Sequence, residues 1–279
     1  MTDQPTSKTD DWLRVARSYL FVPGSRPERL DKARASGADV VIVDLEDAVA
    51  PGEKNFAREA IAARLDPSHP VVVRINAFGS PWFEQDLALC RSLGIAAVMV
   101  PKAEEPAQVR AAHDACQRPV LALIETARGV WNALEISRTV GVARLAFGAF
   151  DFRLDLGLPD AGYAQLAPYR AKLVLASRIA GIVAPVDSPS AALNEEAAVR
   201  SEALEAKNAG FGGKLCVHPS QVVVVNTTFQ PSARELEWAS RVVEAARAAE
   251  GAAMAVDGRM VDRPLLDIAE RLLAQRRDG

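Results

Sequence analysis

Eight short apolar runs recur along this chain, each followed by a stretch of helical spacing, and that alternation limits the folds open to it. The runs are YLFVP (19–23), DVVIVDLE (39–46), VVVRIN (71–76), AAVMVPK (96–102), LALIET (121–126), RLAFGAFD (144–151), GIVAPVD (181–187) and GKLCVHP (213–219). Several are almost unbroken Val, Ile, Leu and Ala, the composition of parallel strands covered on both faces. Strands alternating with helices imply a parallel sheet. Eight such units are the number that closes into an α/β TIM barrel of roughly 250 residues. An open doubly wound sheet would want a glycine-rich phosphate turn after the first strand, and VPGSRPE (22–28) supplies only Gly24.

The intervening segments carry helix punctuation. In RPERLDKARASG (26–37), Pro27 sits near the first turn and Gly37 after the last. Helices are expected over 52–65, 80–94, 105–116, 127–141, 163–181 (with Pro168 as its weak point), 190–210 and 232–251. Residues 1–16 are polar and read as a frayed start, 17–250 as the barrel domain. Residues 251–279 are surplus to it: a turn at Asp257-Gly258 between short extended pieces, then an amphipathic helix, suited to a lid or a subunit contact. With 49% hydrophobic and 25% charged residues, a net charge of −3 and a pI near 5.8, the chain offers no basic surface for nucleic acid. Three scattered cysteines argue against a disulfide framework, and no apolar run spans a membrane, so a cytoplasmic protein is expected.

Barrel enzymes carry their chemistry at the C-terminal ends of the strands. The runs end there in Asp44, Glu46 and Asp47, in Arg74 with Asn76, and in Lys102, Glu125, Asp151, Asp187 and His218. The charged residues of the apolar runs are therefore expected to gather at one rim. Glu125 and Asp151 close consecutive strands with no His or Cys beside them, which suits a hard cation such as Mg²⁺ completed by water and substrate oxygens. Each could instead cap a helix or pair with an Arg. The Arg74 fork suits a substrate carboxylate or enolate, or an ion pair with Glu46 or Asp47, or both. Lys102, with carboxylates around it, reads as an electrostatic lysine rather than a Schiff-base one, and His218 as structural. No GxSxG elbow or HExxH helix is present.

Together, RSYLFVPGSRPERL, VDLEDAVAP, VVVRIN, MVPKAE, IET, FGAFD with DLG, and GKLCVHPSQV resemble the citrate lyase β-subunit-like branch of the HpcH/HpaI aldolase superfamily, from about Arg17 to the C-terminus. The resemblance implies a TIM barrel and Mg²⁺-dependent carbon–carbon bond cleavage or formation in a β-hydroxyacyl thioester of the citryl-, citramalyl- or malyl-CoA type. It assigns the metal to Glu125 and Asp151, the substrate to Arg74 and Glu125, and the acidic loop to Glu46 and Asp47. It gives acid–base chemistry to Asp262, lent by a neighbouring subunit, and places Arg26 and Lys32 near the carrier's phosphates. A homotrimer or dimer of trimers goes with it. Phe150 departs from the small or polar residue usual there. A malyl-CoA-type thioesterase, or the β subunit of a carrier-protein-dependent lyase complex, are the alternatives.

Overall fold

Eight parallel strands close into a barrel in the computed structural model, which describes residues 11–193, 195–248 and 254–274. They are β1 (Ser18–Pro23), β2 (Val40–Asp44), β3 (Val71–Arg74), β4 (Ile95–Val100), β5 (Val120–Ile124), β6 (Val142–Phe147), β7 (Val183–Asp187) and β8 (Gly213–Cys216). Each pairs with the next, and β1 closes on β8 with Tyr19 opposite Leu215. The expected TIM barrel is the fold. The helices are α1 (Asp11–Val15), α2 (Arg29–Arg34), α3 (Lys54–Ala62), α4 (Phe83–Cys90), α5 (Pro106–Cys116), α6 (Ala127–Trp131), α7 (Ala133–Ser137), α8 (Ala149–Asp155), α9 (Tyr163–Ala180), α10 (Glu196–Asn208) and α11 (Pro219–Phe229). None is long and apolar enough to cross a membrane among the described residues.

Local chemistry explains where these elements begin and end. Helix α5 opens with Pro106 in its first turn and a capping box between Glu105 and Gln108. Helix α9 runs unbroken through Pro168 and stops at Gly181, whose φ of 72° is left-handed. The single helix expected over 127–141 is two, divided at Asn132, whose amide donates to the Glu104 carbonyl at 2.8 Å. Two further corrections concern segments read as extended. Strand β6 ends at Phe147, so Asp151 lies in the first turn of α8 and not at a strand end. The run read as extended over 213–219 ends at Cys216, and Pro219 opens α11, whose Val222 and Val225 are fully buried.

The expectation that charges keep to one rim fails at Arg144 and Lys214. Arg144, third in β6, is wholly buried near the strand's start. Its Nη1 donates to the carbonyls of Leu13 and Ala16, each at 2.9 Å, and to the Tyr19 hydroxyl at 2.6 Å, while Nε reaches Ala184 O at 2.6 Å. The end of α1 leaves carbonyls without partners, and Arg144 supplies the donors. Part of the segment expected to fray thus reaches the core: Leu13 and Ala16 belong to one buried cluster with Tyr19, Val40, Met99 and Leu121. Residues 1–10 of the expected frayed start lie outside the described residues.

The chain divides into two compact units, 1–226 and 227–279. In the second, α12 (Ala233–Ala248) is followed by an antiparallel hairpin of β9 (Met254–Val256) and β10 (Arg259–Val261), then α13 (Arg263–Ala274). The turn holds Asp257 at φ 54° and Gly258 at φ 74°, the paired positive values a two-residue hairpin requires. Ala239 and Val242 of α12 and Ala269 of α13 form a small core with Val256 and Val261, against which Leu265 and Leu272 pack.

Replacing Arg144 by Leu strands three carbonyls and a buried hydroxyl. The free energy of unfolding is expected to fall by about 3–5 kcal/mol. Urea denaturation measures this, and Lys at the position recovers only part because it cannot donate in a fork.

Candidate active site

Asp44 ends β2 fully buried, and four donors hold its carboxylate. The amides of Glu46 and Ala48 donate at 2.8 and 3.1 Å, and Arg74 closes a two-pronged pair through Nε at 2.8 Å and Nη2 at 2.7 Å. Nη1 of Arg74 lies 3.1 Å from Glu46 Oε2, and the Phe21 ring stacks on the guanidinium with its centroid 4.9 Å away. Arg74 is therefore fixed in plane and position, with its remaining donors at the cavity that it lines. The expected pairing with Glu46 is present; the partner in place of Asp47 is Asp44.

Lys102 ties this group to the next strand. Its ammonium donates to Glu46 Oε1 at 2.6 Å and lies 3.9 Å from Asp47, and its backbone amide donates to Glu125 Oε1 at 2.8 Å. It adopts φ 48°, left-handed and unusual for a side-chain-bearing residue. Burial works against the charge, but the hydrogen bond and charge of Glu46 win and hold the Lys102 ammonium above its ordinary pKa. An electrostatic lysine is what the geometry provides.

Glu125 follows β5 directly and is buried. Gly148 makes room for it: a Cβ there would stand 2.5 Å from Glu125 Oε2 and 2.7 Å from its Cβ. Three residues on, in the first turn of α8, Asp151 lines the same cavity. Burial first, then the charges of Glu46 and Asp151, push the Glu125 carboxyl up to about 8. That is a carboxylate cradle short of positive charge, with hard oxygen donors. Among the described residues no three His, Cys, Asp or Glu side chains gather to hold a metal alone. Two carboxylates leave the remaining positions to water and substrate, the usual arrangement for Mg²⁺.

The cavity has a volume of about 810 Å³. Lys32 and Arg29 of α2 line one side, and His218 and Phe150 also face it. Arg26 is exposed in the turn before α2. Asp262 belongs to the C-terminal unit, where its carboxylate accepts the Leu265 amide at 3.3 Å at the start of α13. Sequence reasoning missed Gly148 and Arg29. The glycine ahead of the acid in FGAFD was the available signal for the first; the second had none, since α2 carries several basic residues.

A closed parallel barrel with an arginine fork and two carboxylates at the mouth of a large cavity defines an α/β-barrel enzyme for an anionic, oxygen-rich small molecule. Residues 17–219 match the HpcH/HpaI aldolase/citrate lyase family, and the chain belongs to it. It is 40% identical to a citrate lyase subunit beta-like protein of Mycobacterium tuberculosis, over 94% of this chain and 96% of that one. It is 34% identical to a (3S)-malyl-CoA thioesterase of Cereibacter sphaeroides, over 93% and 94% of the respective chains. The crystal structure of protein CitE from M. tuberculosis in complex with magnesium, acetoacetate and coenzyme A superposes with a TM-score of 0.84, at 38% identity, covering 94% of this chain and 98% of that one.

In the folded protein Glu125 stays protonated up to about pH 8, whereas its ordinary value is 4.5. Between these values the native state holds the extra proton, so stability falls as pH rises through that window. Thermal melts in EDTA should therefore show Glu125→Gln gaining on the wild type as pH rises from 5 to 8, with no gain at pH 4.

Proposed function

We propose that this chain is a Mg²⁺-dependent carbon–carbon lyase that cleaves or forms a β-hydroxyacyl thioester of the citryl-, citramalyl- or malyl-CoA type. The observation that carries this reading is the Glu125 cradle: a buried carboxylate, raised by its acidic neighbours, beside Asp151 in a cavity walled by Arg74. The family, and the CitE complex with magnesium, acetoacetate and coenzyme A, support it.

Glu125 and Asp151 would hold the cation, whose role is that of a Lewis acid for the substrate's hydroxyl and carboxylate oxygens. Arg74, oriented by Asp44, stabilises the negative charge that moves onto the thioester oxygen as the bond to the α-carbon breaks. Glu46 keeps Arg74 and Lys102 in place, and Asp47 extends the acidic loop toward solvent. The hydroxyl proton passes to solvent water as the carbonyl forms, and the electron pair of the broken bond passes into the enolate. Asp262, delivered from a neighbouring subunit's C-terminal segment, exchanges the proton at the enolate carbon. Lys32, with Arg26 at the turn ahead of it, meets the phosphates of the CoA carrier. Phe150 narrows the cavity beside Asp151 and so limits the acyl group. A cytoplasmic homotrimer or dimer of trimers, with residues 251–279 as lid and contact, completes the reading.

Incubating the purified protein with Mg²⁺ and malyl-, citramalyl- and citryl-CoA tests it. A carbonyl compound plus an acyl-CoA is expected; free acid plus CoA would instead make the chain a thioesterase, the activity in the name of the C. sphaeroides relative. Glu125→Gln and Asp151→Asn should each lower Mg²⁺-dependent kcat by ~10²–10³-fold or more with unchanged circular dichroism, and Arg74→Lys by ~10²-fold. Full turnover in either carboxylate variant removes the metal assignment.

A further inference from the structure

A second, smaller cavity of about 70 Å³ lies among the ends of β6 and β7 and helices α8, α9 and α10. Phe150 and Pro189 line both cavities and form the wall between them. The charged groups around the smaller one come from α8, α9, α10 and β7, with Lys214 of β8 behind them. Asp187, ending β7, accepts from Arg170 Nε of α9 and from the Lys214 ammonium of β8, each at 3.1 Å. Lys214 also donates to the Tyr163 hydroxyl at 2.8 Å, which donates in turn to Glu202 of α10 at 3.2 Å. Arg153 of α8 faces the same space, while its neighbour Asp155 is engaged elsewhere by the Ala127 amide. Three cations thus stand against two carboxylates, and burial with the nearby Asp187 and Glu202 keeps Tyr163 neutral by raising its pKa.

Two donors at this cavity have no partner. Arg170 is 4% exposed, and its Nη2 makes no hydrogen bond; the buried Nε of Arg153 makes none either. The aromatic rings of Tyr163 and Phe211 pack on the Arg170 guanidinium with centroids at 4.4 and 5.0 Å, which helps to hold its plane. Water in the cavity can accept from these N–H groups, but it leaves the surplus positive charge uncompensated in a low-dielectric place. A small anion satisfies both demands at once.

We propose that this cavity is a binding site for one small monovalent anion, a halide or a carboxylate of formate size, held between Arg170 Nη2 and Arg153 Nε. The volume accommodates an ion of that size. Such an anion is placed to brace α8. Ser188, next to Asp187, accepts the Ala149 amide at 3.0 Å at the start of that helix, and Asp151 follows two residues later. Binding is independent of the lyase reading; only an effect on turnover would rest on it.

The test is therefore read without substrate. A crystal soaked in sodium bromide should show, in data collected at the bromine edge, an anomalous peak within hydrogen-bond reach of Arg170 Nη2 and Arg153 Nε. Ordered water there at saturating bromide, and again after a soak in sodium formate, overturns the site. In solution at matched ionic strength, the Tm of the wild type should rise by ~2–4 °C at about five times the dissociation constant of the anion, relative to bulky gluconate. A rise in chloride and bromide alone assigns a halide, and a rise in formate alone assigns a carboxylate. Equal Tm in all four salts overturns the proposal. Arg153→Gln, half-exposed and so tolerant of substitution, should lose the salt dependence, and its persistence in that variant would relocate the effect and end the assignment.

Discussion

The pair between Asp44 and Arg74 is the interaction on which the mouth of the barrel depends. Asp44 is buried and must find donors for all its lone pairs, since an unpaired carboxylate there would be costly. Two of those donors are backbone amides in the turn after β2, and two belong to Arg74 on β3. One side chain therefore shapes the acidic loop and aims the arginine together. An amide at position 44 could accept only at its single oxygen, so the loop and the fork could not both be held. Glu46 and Lys102 extend the same logic by alternating charge from strand to strand, until the chain of contacts arrives at Glu125.

The two ends of the barrel solve the burial of charge differently. Near the start of β6, Arg144 bonds to neutral carbonyls and a hydroxyl, beside an apolar cluster that includes Leu13, Tyr19 and Met99. That arrangement makes a plug, since the arginine's bonds tie the end of α1 to the strands of the barrel. At the other end burial, with the charges of Glu46 and Asp151 behind it, outweighs what the Lys102 amide and Arg74 offer Glu125, and the carboxyl rises as a result. A surplus of buried acid is a poor way to stabilise a fold and a good way to attract a cation. The same rim has room above it, and the plug has none.

The alternation of apolar runs and helical segments made the barrel legible, because parallel strands buried on both faces cannot be mistaken for half-exposed ones. Arg74 and Glu125 were legible for the same reason: a charge at the end of an otherwise apolar strand has few places to go. Asp151 was read as a strand end because FGAF continues the apolar run, yet Gly148 lets the chain turn and start a helix there. Arg144 and Lys214 were invisible as exceptions. Their partners are carbonyls and residues far along the chain, and a one-dimensional pattern does not record which face of a strand meets which helix.

Lys102 shows how closely backbone and side-chain demands are coupled here. Its left-handed φ costs a non-glycine residue of order 1 kcal/mol. Glycine would remove that cost and still present the amide that Glu125 Oε1 accepts. It would also leave Glu46 buried with only Arg74 beside it, since the ammonium on Glu46 Oε1 would be gone. The strain is therefore the consequence of asking one residue for two donors that point in different directions, one to each acid.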